Sequence, residues 1–215
     1  MKNFSSCLFL SLLLISAIPL LAQPKGFKIL KDTISFKRNF NEKSLKIITN
    51  EADFTQEKYI SVMTEKVFSK GEFYFMKPNK MRWETTEPKI HIIVLDNGKM
   101  TTKEKGKVKI YDTNSNRMFK GLNDMMLTTA SGNMLNAKDY TYSLFENDKC
   151  FLVELHPIQT VTKKFVKTIE IVVEKYDYTV SQIKMNEPSG DYTRIEFSNK
   201  KLNGAISSDK FLLNK

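Results

Sequence analysis

The sequence predicts a mainly β chain, built as an antiparallel sheet that is open or curled towards a barrel. Three observations carry that prediction. Short apolar or aromatic runs recur at close spacing, turn-forming clusters separate them, and two segments of helical period accompany them, one ahead of the runs and one interrupting them.

The first helical segment is Ser35–Ile48, where Phe36, Phe40, Leu45 and Ile48 fall near a 3.6-residue period with charges between. It follows a polar lead-in from Gln23 to Asp32. Strand-like runs then follow at Ala52–Val62, Phe73–Met76, Met81–Trp83, Ile90–Leu95 and Val108–Tyr111. Later runs lie at Tyr140–Phe145, Phe151–Leu155, Phe165–Val173, Thr179–Met185 and Tyr192–Phe197, giving about ten strands. The turn signals are Lys70-Gly71, Pro78-Asn79, Asp96-Asn97-Gly98, Glu146-Asn147-Asp148 and Glu187-Pro188-Ser189-Gly190. Asp96-Asn97-Gly98 is the strongest hairpin signal, because Asn and Gly tolerate positive φ.

Between Tyr111 and Tyr140 the strand pattern stops. Met118, Phe119, Leu122, Met125 and Met126 share one helical face, Thr113 or Asn114 can cap the start, and Gly132 lies beyond the end. This predicts a methionine-rich helix over Arg117–Leu127, inserted midway through the sheet. The two helices are the candidates to cover the concave face of a curled sheet. Whether they close it into a dry core or leave an apolar hollow is undecided by pattern alone.

Residues 1–22 read as a cleaved secretory signal: Lys2, then a charge-free apolar run from Cys7 to Ala22. Cleavage after Ala22 leaves Gln23, and a retained anchor is the alternative. Residues 23–215 then form a single domain. Cys7 stands at the start of the apolar run rather than after it, so it is no lipidation cysteine, and Cys150 is left alone as a buried thiol without a catalytic role.

The 215 residues include 34 Lys and Arg against 24 Asp and Glu, a formal charge of +10, with 41% hydrophobic residues. That composition excludes collagen-like, disordered and disulfide-stapled chains. The bases are spread along the chain and often sit beside acids, as in Lys103-Glu104-Lys105, so no nucleic-acid partner is expected. The positive charge reads as a solvated surface suited to anionic membranes or acidic partners. Catalytic motifs are absent, and His91, His156 and Cys150 are too few for a zinc set, so neither enzyme activity nor a metal or cofactor is expected.

An ordered set of residues carries a family resemblance. Phe54-Thr55-Gln56 is followed by Gly71-Glu72-Phe73-Tyr74-Phe75-Met76-Lys77-Pro78, by Arg82-Trp83, by Glu87-Pro88 and by Asp96-Asn97-Gly98, with Phe197-Ser198-Asn199, Asn203 and Phe211 near the end. The set resembles the LolA family of periplasmic carriers that ferry lipoproteins from the inner to the outer membrane. The resemblance implies a curved antiparallel sheet forming an unclosed barrel, with helices as a lid over its concave face and an acyl-binding hollow beneath. It implies a soluble, monomeric periplasmic protein whose partners are lipoprotein acyl chains or another lipid, inner-membrane release machinery and an outer-membrane acceptor. Lys77 stands where the family has a lid-clasping arginine, which makes it the candidate lid latch, with a point charge in place of a planar fork.

Strand alternation then bears on the lining. An odd-length loop around Pro78 puts Phe73, Phe75 and Lys77 on one face with Met81 and Trp83, and an even one exchanges them for Tyr74 and Met76. The odd case is preferred on the resemblance, because it brings the latch position to the aromatic face. The expected acyl-cavity lining is therefore Phe73, Phe75, Met81 and Trp83 from the sheet and Met118, Phe119, Leu122 and Met126 from the inserted helix. The alternatives are a carrier of a non-lipoprotein acyl lipid, or a non-transporting envelope module that binds anionic surfaces.

Overall fold

The computed structural model describes residues 23–113, 135 and 138–213. Its elements run β1 (Lys28–Ile29), α1 (Thr33–Leu45), β2 (Thr49–Ile60), β3 (Glu65–Met76), β4 (Lys80–Glu87), β5 (His91–Asp96), β6 (Lys99–Glu104) and β7 (Lys107–Asp112). There follow β8 (Tyr140–Glu146), β9 (Cys150–Pro157), the short α2 (Thr160–Lys163), β10 (Thr168–Glu174), β11 (Val180–Asn186), β12 (Tyr192–Leu202) and a 3₁₀ turn at Ser208–Phe211.

All twelve strands join one antiparallel sheet in the order β1-β8-β9-β10-β11-β12-β2-β3-β4-β5-β6-β7. Among the described residues β1 and β7 are the end strands of the sheet and do not pair with each other, so the expected mainly β, unclosed architecture is what the chain adopts. Two meanders, β8–β12 and β2–β7, are joined in the middle by the pairing of β12 with β2. The chain from Asp112 to Tyr140 therefore leaves one edge strand and re-enters beside the opposite edge. The predicted helix over 117–127 belongs to this connection and lies outside the described residues.

Residues directly opposite one another in antiparallel strands share a face. Following the register from Leu144 through Val153, Ile171 and Ile183 to Ile195 traces an apolar row along the inner face of one meander. On the other meander the same face carries Phe75, Met81, Leu95, Met100 and Tyr111 in line. α1 rests on the first of these regions. Phe36 and Phe40 are fully buried in one cluster with Phe151, Val153, Leu155, Ile169, Ile171 and Val173. Asp32 starts the helix, its carboxylate accepting from the Ser35 amide at 3.0 Å. The helix thus begins two residues before the predicted Ser35 and ends at Leu45, leaving Ile48 exposed.

The outer face of β3–β5 is sealed separately. Phe211 of the 3₁₀ turn covers Tyr74, Ile92 and Val94, while Lys210 Nζ donates to Tyr74 Oη at 3.0 Å and Arg82 donates to the Lys210 carbonyl at 2.9 Å.

Several sequence expectations change. β6 and β1 were not foreseen, since Met100 is the only apolar residue of β6 and β1 contributes two residues. Phe165 lies outside β10, exposed, in the connection that holds α2. Cys150 opens β9 and is half-buried rather than buried, its thiol pushed up by burial and by nearby Glu174. Lys70-Gly71 is no turn: Gly71 sits inside β3 opposite Phe54, and the β2–β3 reversal comes at Ser61–Thr64. A Cβ on Gly71 would collide with the Glu84 carbonyl oxygen and lie 2.6 Å from the Phe54 ring. Neither backbone nor a fully buried ring can give way cheaply. Gly71→Ala is expected to destabilise the protein by about 3 kcal/mol in urea melts, and an unchanged midpoint would contradict this account of the close approach.

Candidate functional site

The site is built where the inner face passes beyond the cover of α1. Four aromatic rings meet there: Phe54 from β2, Phe73 from β3, Trp83 from β4 and Phe197 from β12. Register makes the meeting unavoidable, because Phe197 lies opposite Phe54 and Phe73 opposite Trp83. Gly71 leaves the space into which the Phe54 ring settles, and that ring lies 4.1 Å from Trp83 between centroids. Phe73 meets Trp83 at 5.7 Å and Phe197 at 5.6 Å in edge-to-face geometry, as ring quadrupoles favour.

The cluster is layered. Phe54, Phe73, Phe75, Met81 and Leu95 are buried, while Trp83, Ile93, Ile195 and Phe197 are only partly so and pack on top of them. The result is an apolar floor with a part-exposed upper layer, a surface that would gain by burying more apolar area.

The connection between β3 and β4 is the three-residue Lys77–Asn79, an odd length that pairs Phe73 with Trp83 and Phe75 with Met81. Phe73, Phe75, Met81 and Trp83 therefore come together on one face. Phe75 and Met81 form its buried floor and Trp83 its open layer. Met118, Phe119, Leu122 and Met126 lie outside the described residues. Phe54 and Phe197, which the sequence marks only as part of the family resemblance and not as lining, complete the cluster. Their signal was the two-residue alternation with Ala52 and Ile195, but their partnership depends on a pairing across more than half the chain.

Lys77 ties this region to α1. Its Nζ donates to the carbonyl oxygens of Ser44 and Leu45, each at 2.9 Å, and its backbone amide donates to the Ile48 carbonyl at 2.8 Å. The last carbonyls of a helix have no partner within it and carry its negative dipole end, so an ammonium is well placed there. Burial holds the Lys77 pKa below the usual lysine range. At the far side of α1, Asn39 Nδ2 donates to Tyr178 Oη at 3.2 Å and Phe36 lies 4.6 Å from Phe151. The helix is thus held at its C-terminus by one lysine and along its body by apolar packing.

A polar cleft of about 490 Å³ opens beside Phe197, lined by Glu174, Tyr176, Asp177, Ser181 and Lys200. Lys200 donates to Thr179 Oγ1 and the Val180 carbonyl, and burial lowers its pKa. Two carboxylates against one ammonium make this cleft unlike the aromatic surface it borders. Elsewhere His156 Nε2 stands 3.1 Å from Glu154 Oε1. Among the described residues no group of three or more His, Cys, Asp or Glu is placed to hold a metal ion, and no helix is long and apolar enough to cross a membrane.

Among the described residues an open antiparallel sheet carries an apolar inner face with one helix packed on part of it, an arrangement suited to a binding scaffold. The chain belongs to the outer membrane lipoprotein carrier protein LolA family, whose profile matches residues 46–214. Members of that family are carrier or binding proteins. No curated protein matches the chain by sequence. Among solved structures it is similar to the LolA superfamily protein NE2245 from Nitrosomonas europaea at 10% identity, covering 82% of this chain and 97% of that one, with a TM-score of 0.43. An uncharacterized conserved protein from Thermus thermophilus is similar at 9% identity, covering 84% and 94%, with a TM-score of 0.51. LprF from Mycobacterium bovis is similar at 10% identity, covering 80% and 93%, with a TM-score of 0.41. Likeness at these identities concerns the fold.

Replacing Lys77 tests how α1 is held. Lys77→Met should speed amide exchange at the C-terminal turn of α1 about ten-fold, and Lys77→Arg should restore much of the protection. Equal exchange in all three proteins would show that the two carbonyl bonds do not hold the helix.

Proposed function

We propose that the protein is a periplasmic carrier that binds the acyl chains of lipoproteins on its apolar inner face and ferries them from the inner to the outer membrane. The observation that carries this reading is the part-exposed layer of Trp83, Phe197, Ile93 and Ile195 over a buried aromatic floor. Membership of the lipoprotein carrier family supports a lipid- or lipoprotein-binding role for such a surface. Phe73, Phe75, Met81 and Trp83 are assigned to the sheet side of the acyl site, and Phe54 and Phe197 join them.

The chemistry suits fluid chains. Aromatic rings and methionine present broad, polarizable surface without polar atoms that an acyl chain would leave unsatisfied. Each buried CH₂ is worth about 0.8 kcal/mol, so one chain of about 16 carbons offers roughly 12 kcal/mol if fully covered. Several fully covered chains would pass the practical ceiling of about 18–21 kcal/mol for non-covalent affinity, and a carrier has to release what it binds. α1 supplies the counterweight. Widening the site means parting Lys77 from the Ser44 and Leu45 carbonyls and loosening that end of α1 while Phe36 and Phe40 stay seated, so part of the binding energy is offset on loading and returned on unloading. In this reading Lys77 is the latch. It acts as a mobile point charge that can re-form its bonds as the helix settles back.

Mass spectrometry of lipid retained by protein purified from the cell envelope tests the carrier. Wild-type protein should hold acyl lipid, and Trp83→Glu, which sets a charge on the open layer, should lose most of it while melting cooperatively. Protein that carries no acyl lipid in either form would overturn the proposal. Retention by Lys77→Ala at the wild-type level would keep the site and remove the latch.

A further inference from the structure

The rim of the sheet away from the Lys77 latch carries a second feature, independent of the inner face. In sheet order, the connections along that rim are residues 158–167 between β9 and β10, 187–191 between β11 and β12, 61–64 between β2 and β3, 88–90 between β4 and β5, and 105–106 between β6 and β7. Three of them expose apolar side chains. Ile158, Val161 and Phe165 project from the first, Val62 (91% exposed) and Met63 from the β2–β3 tip, and Ile90 from the β4–β5 connection. Ordinary loops carry polar residues at such places, and six large apolar groups along one rim are a surface in search of cover.

The charges beside them are positive at the 158–167 connection and mixed along the rest of the rim. The 158–167 connection carries exposed Lys163, Lys164 and Lys167 and no acid, Lys89 precedes Ile90, and Lys105 sits at the β6–β7 turn. Asp191 is turned to the Ser61 amide and hydroxyl at 2.8 and 2.6 Å, and Glu87 faces Lys70 at 3.6 Å. Among the described residues the other acids at the rim are Glu65, Glu104, Glu187 and Asp139, the last beside Lys138 and against the Ile158 amide. The same Asp191 bonds fasten the β11–β12 turn against the β2–β3 tip, so the tip is held rather than free to fold over its own apolar residues. Four strand intervals separate the 158–167 connection from that tip, about 19 Å at about 4.8 Å per strand. Apolar tips at that separation, with the three lysines of the 158–167 connection beside the first of them, match a broad plane better than a groove.

We propose that this rim is a docking surface for an anionic phospholipid bilayer. Val62, Met63, Val161 and Phe165 enter the interfacial layer while Lys163, Lys164, Lys167 and Lys89 meet headgroup phosphates. Apolar insertion and basic attraction together are what reversible surface binding requires, since neither alone is strong. Docking by the rim leaves α1 and its Lys77 clasp at the opposite end free. The proposal does not depend on what the inner face binds.

The test is co-sedimentation of the purified protein with vesicles of phosphatidylglycerol and phosphatidylcholine, against vesicles of phosphatidylcholine alone. Any contribution of residues 1–22 is common to all variants. Wild-type protein should bind the anionic vesicles and lose most of that binding as salt rises from about 0.05 to about 0.5 M. Val62→Asp with Met63→Asp, and separately Lys163→Glu with Lys164→Glu, should each weaken binding about ten-fold. Ile34→Asp, an equally exposed apolar position on α1 away from the rim, should leave it unchanged. These sites are exposed, so the variants should keep the wild-type circular dichroism and melting. Binding unaltered by both rim pairs, no binding to anionic vesicles, or equal binding to neutral ones would overturn the proposal. Loss of a co-purifying protein in the rim variants, with vesicle binding intact, would assign the rim to a protein partner and overturn it likewise.

Discussion

Everything in this fold rests on the seam between β12 and β2, two strands that begin more than 130 residues apart. Without it the molecule is two meanders, each with an open edge and half an apolar face. The seam is fastened along its length by polar groups. Asp191 accepts from the Ser61 amide at 2.8 Å at one end, Tyr192 Oη and Arg194 meet Glu57 at 2.5 and 2.8 Å close to it, and Asn199 Nδ2 donates to Asp53 at 2.7 Å further along. Asn203 Oδ1 accepts from the Ile48 amide at 2.7 Å, and Thr49 Oγ1 donates to the Gly204 carbonyl at 2.7 Å at the other end. A one-residue slip would turn every inward side chain outward. These bonds specify the register that sets Phe197 opposite Phe54. Because the pairing is so distant in sequence, its loop-closure entropy has to be overcome before the aromatic cluster can contribute.

The same seam explains why the inner face is divided. On the β8–β11 side Phe36 and Phe40 of α1 complete a core of fully buried residues. On the β2–β6 side the aromatic floor is buried but its upper layer remains partly open. α1 runs from the first region to the second, where the Lys77 ammonium meets its final carbonyls. A helix seated by packing at one end and by two hydrogen bonds at the other can loosen at the second while staying anchored at the first.

How much of this was legible in the sequence depended on how local the determining interaction was. Asp96-Asn97-Gly98 announces its hairpin through backbone preference alone, and the structure has Asn97 and Gly98 at φ of 49° and 75°. Helix α1 was visible in the spacing of Phe36 and Phe40. The odd loop at Lys77–Asn79 was one of two open choices, settled in the structure by pairing. Gly71 was misread as a turn because composition cannot separate a glycine that bends the chain from one that admits a neighbouring ring. β6 was missed since a strand with one face towards solvent needs few apolar residues, and the first half of β3 since Glu65–Lys70 is largely exposed on both faces. The aromatic cluster was half seen. Phe73 and Trp83 lie on one hairpin and could be joined by arithmetic, whereas Phe54 and Phe197 meet only through a long-range seam.

Trp83 is the single tryptophan of the chain and stands in the open layer of the proposed acyl site. Its emission therefore reports directly on whether an acyl chain settles there. Titration with a lipid whose chain carries bromine near its middle should quench Trp83 saturably, at a lipid concentration below that at which the lipid forms micelles. An unbrominated chain should compete the quenching away. Emission that stays constant through the titration, or that falls only in proportion to added lipid and resists competition, would contradict the claim that this face receives acyl chains.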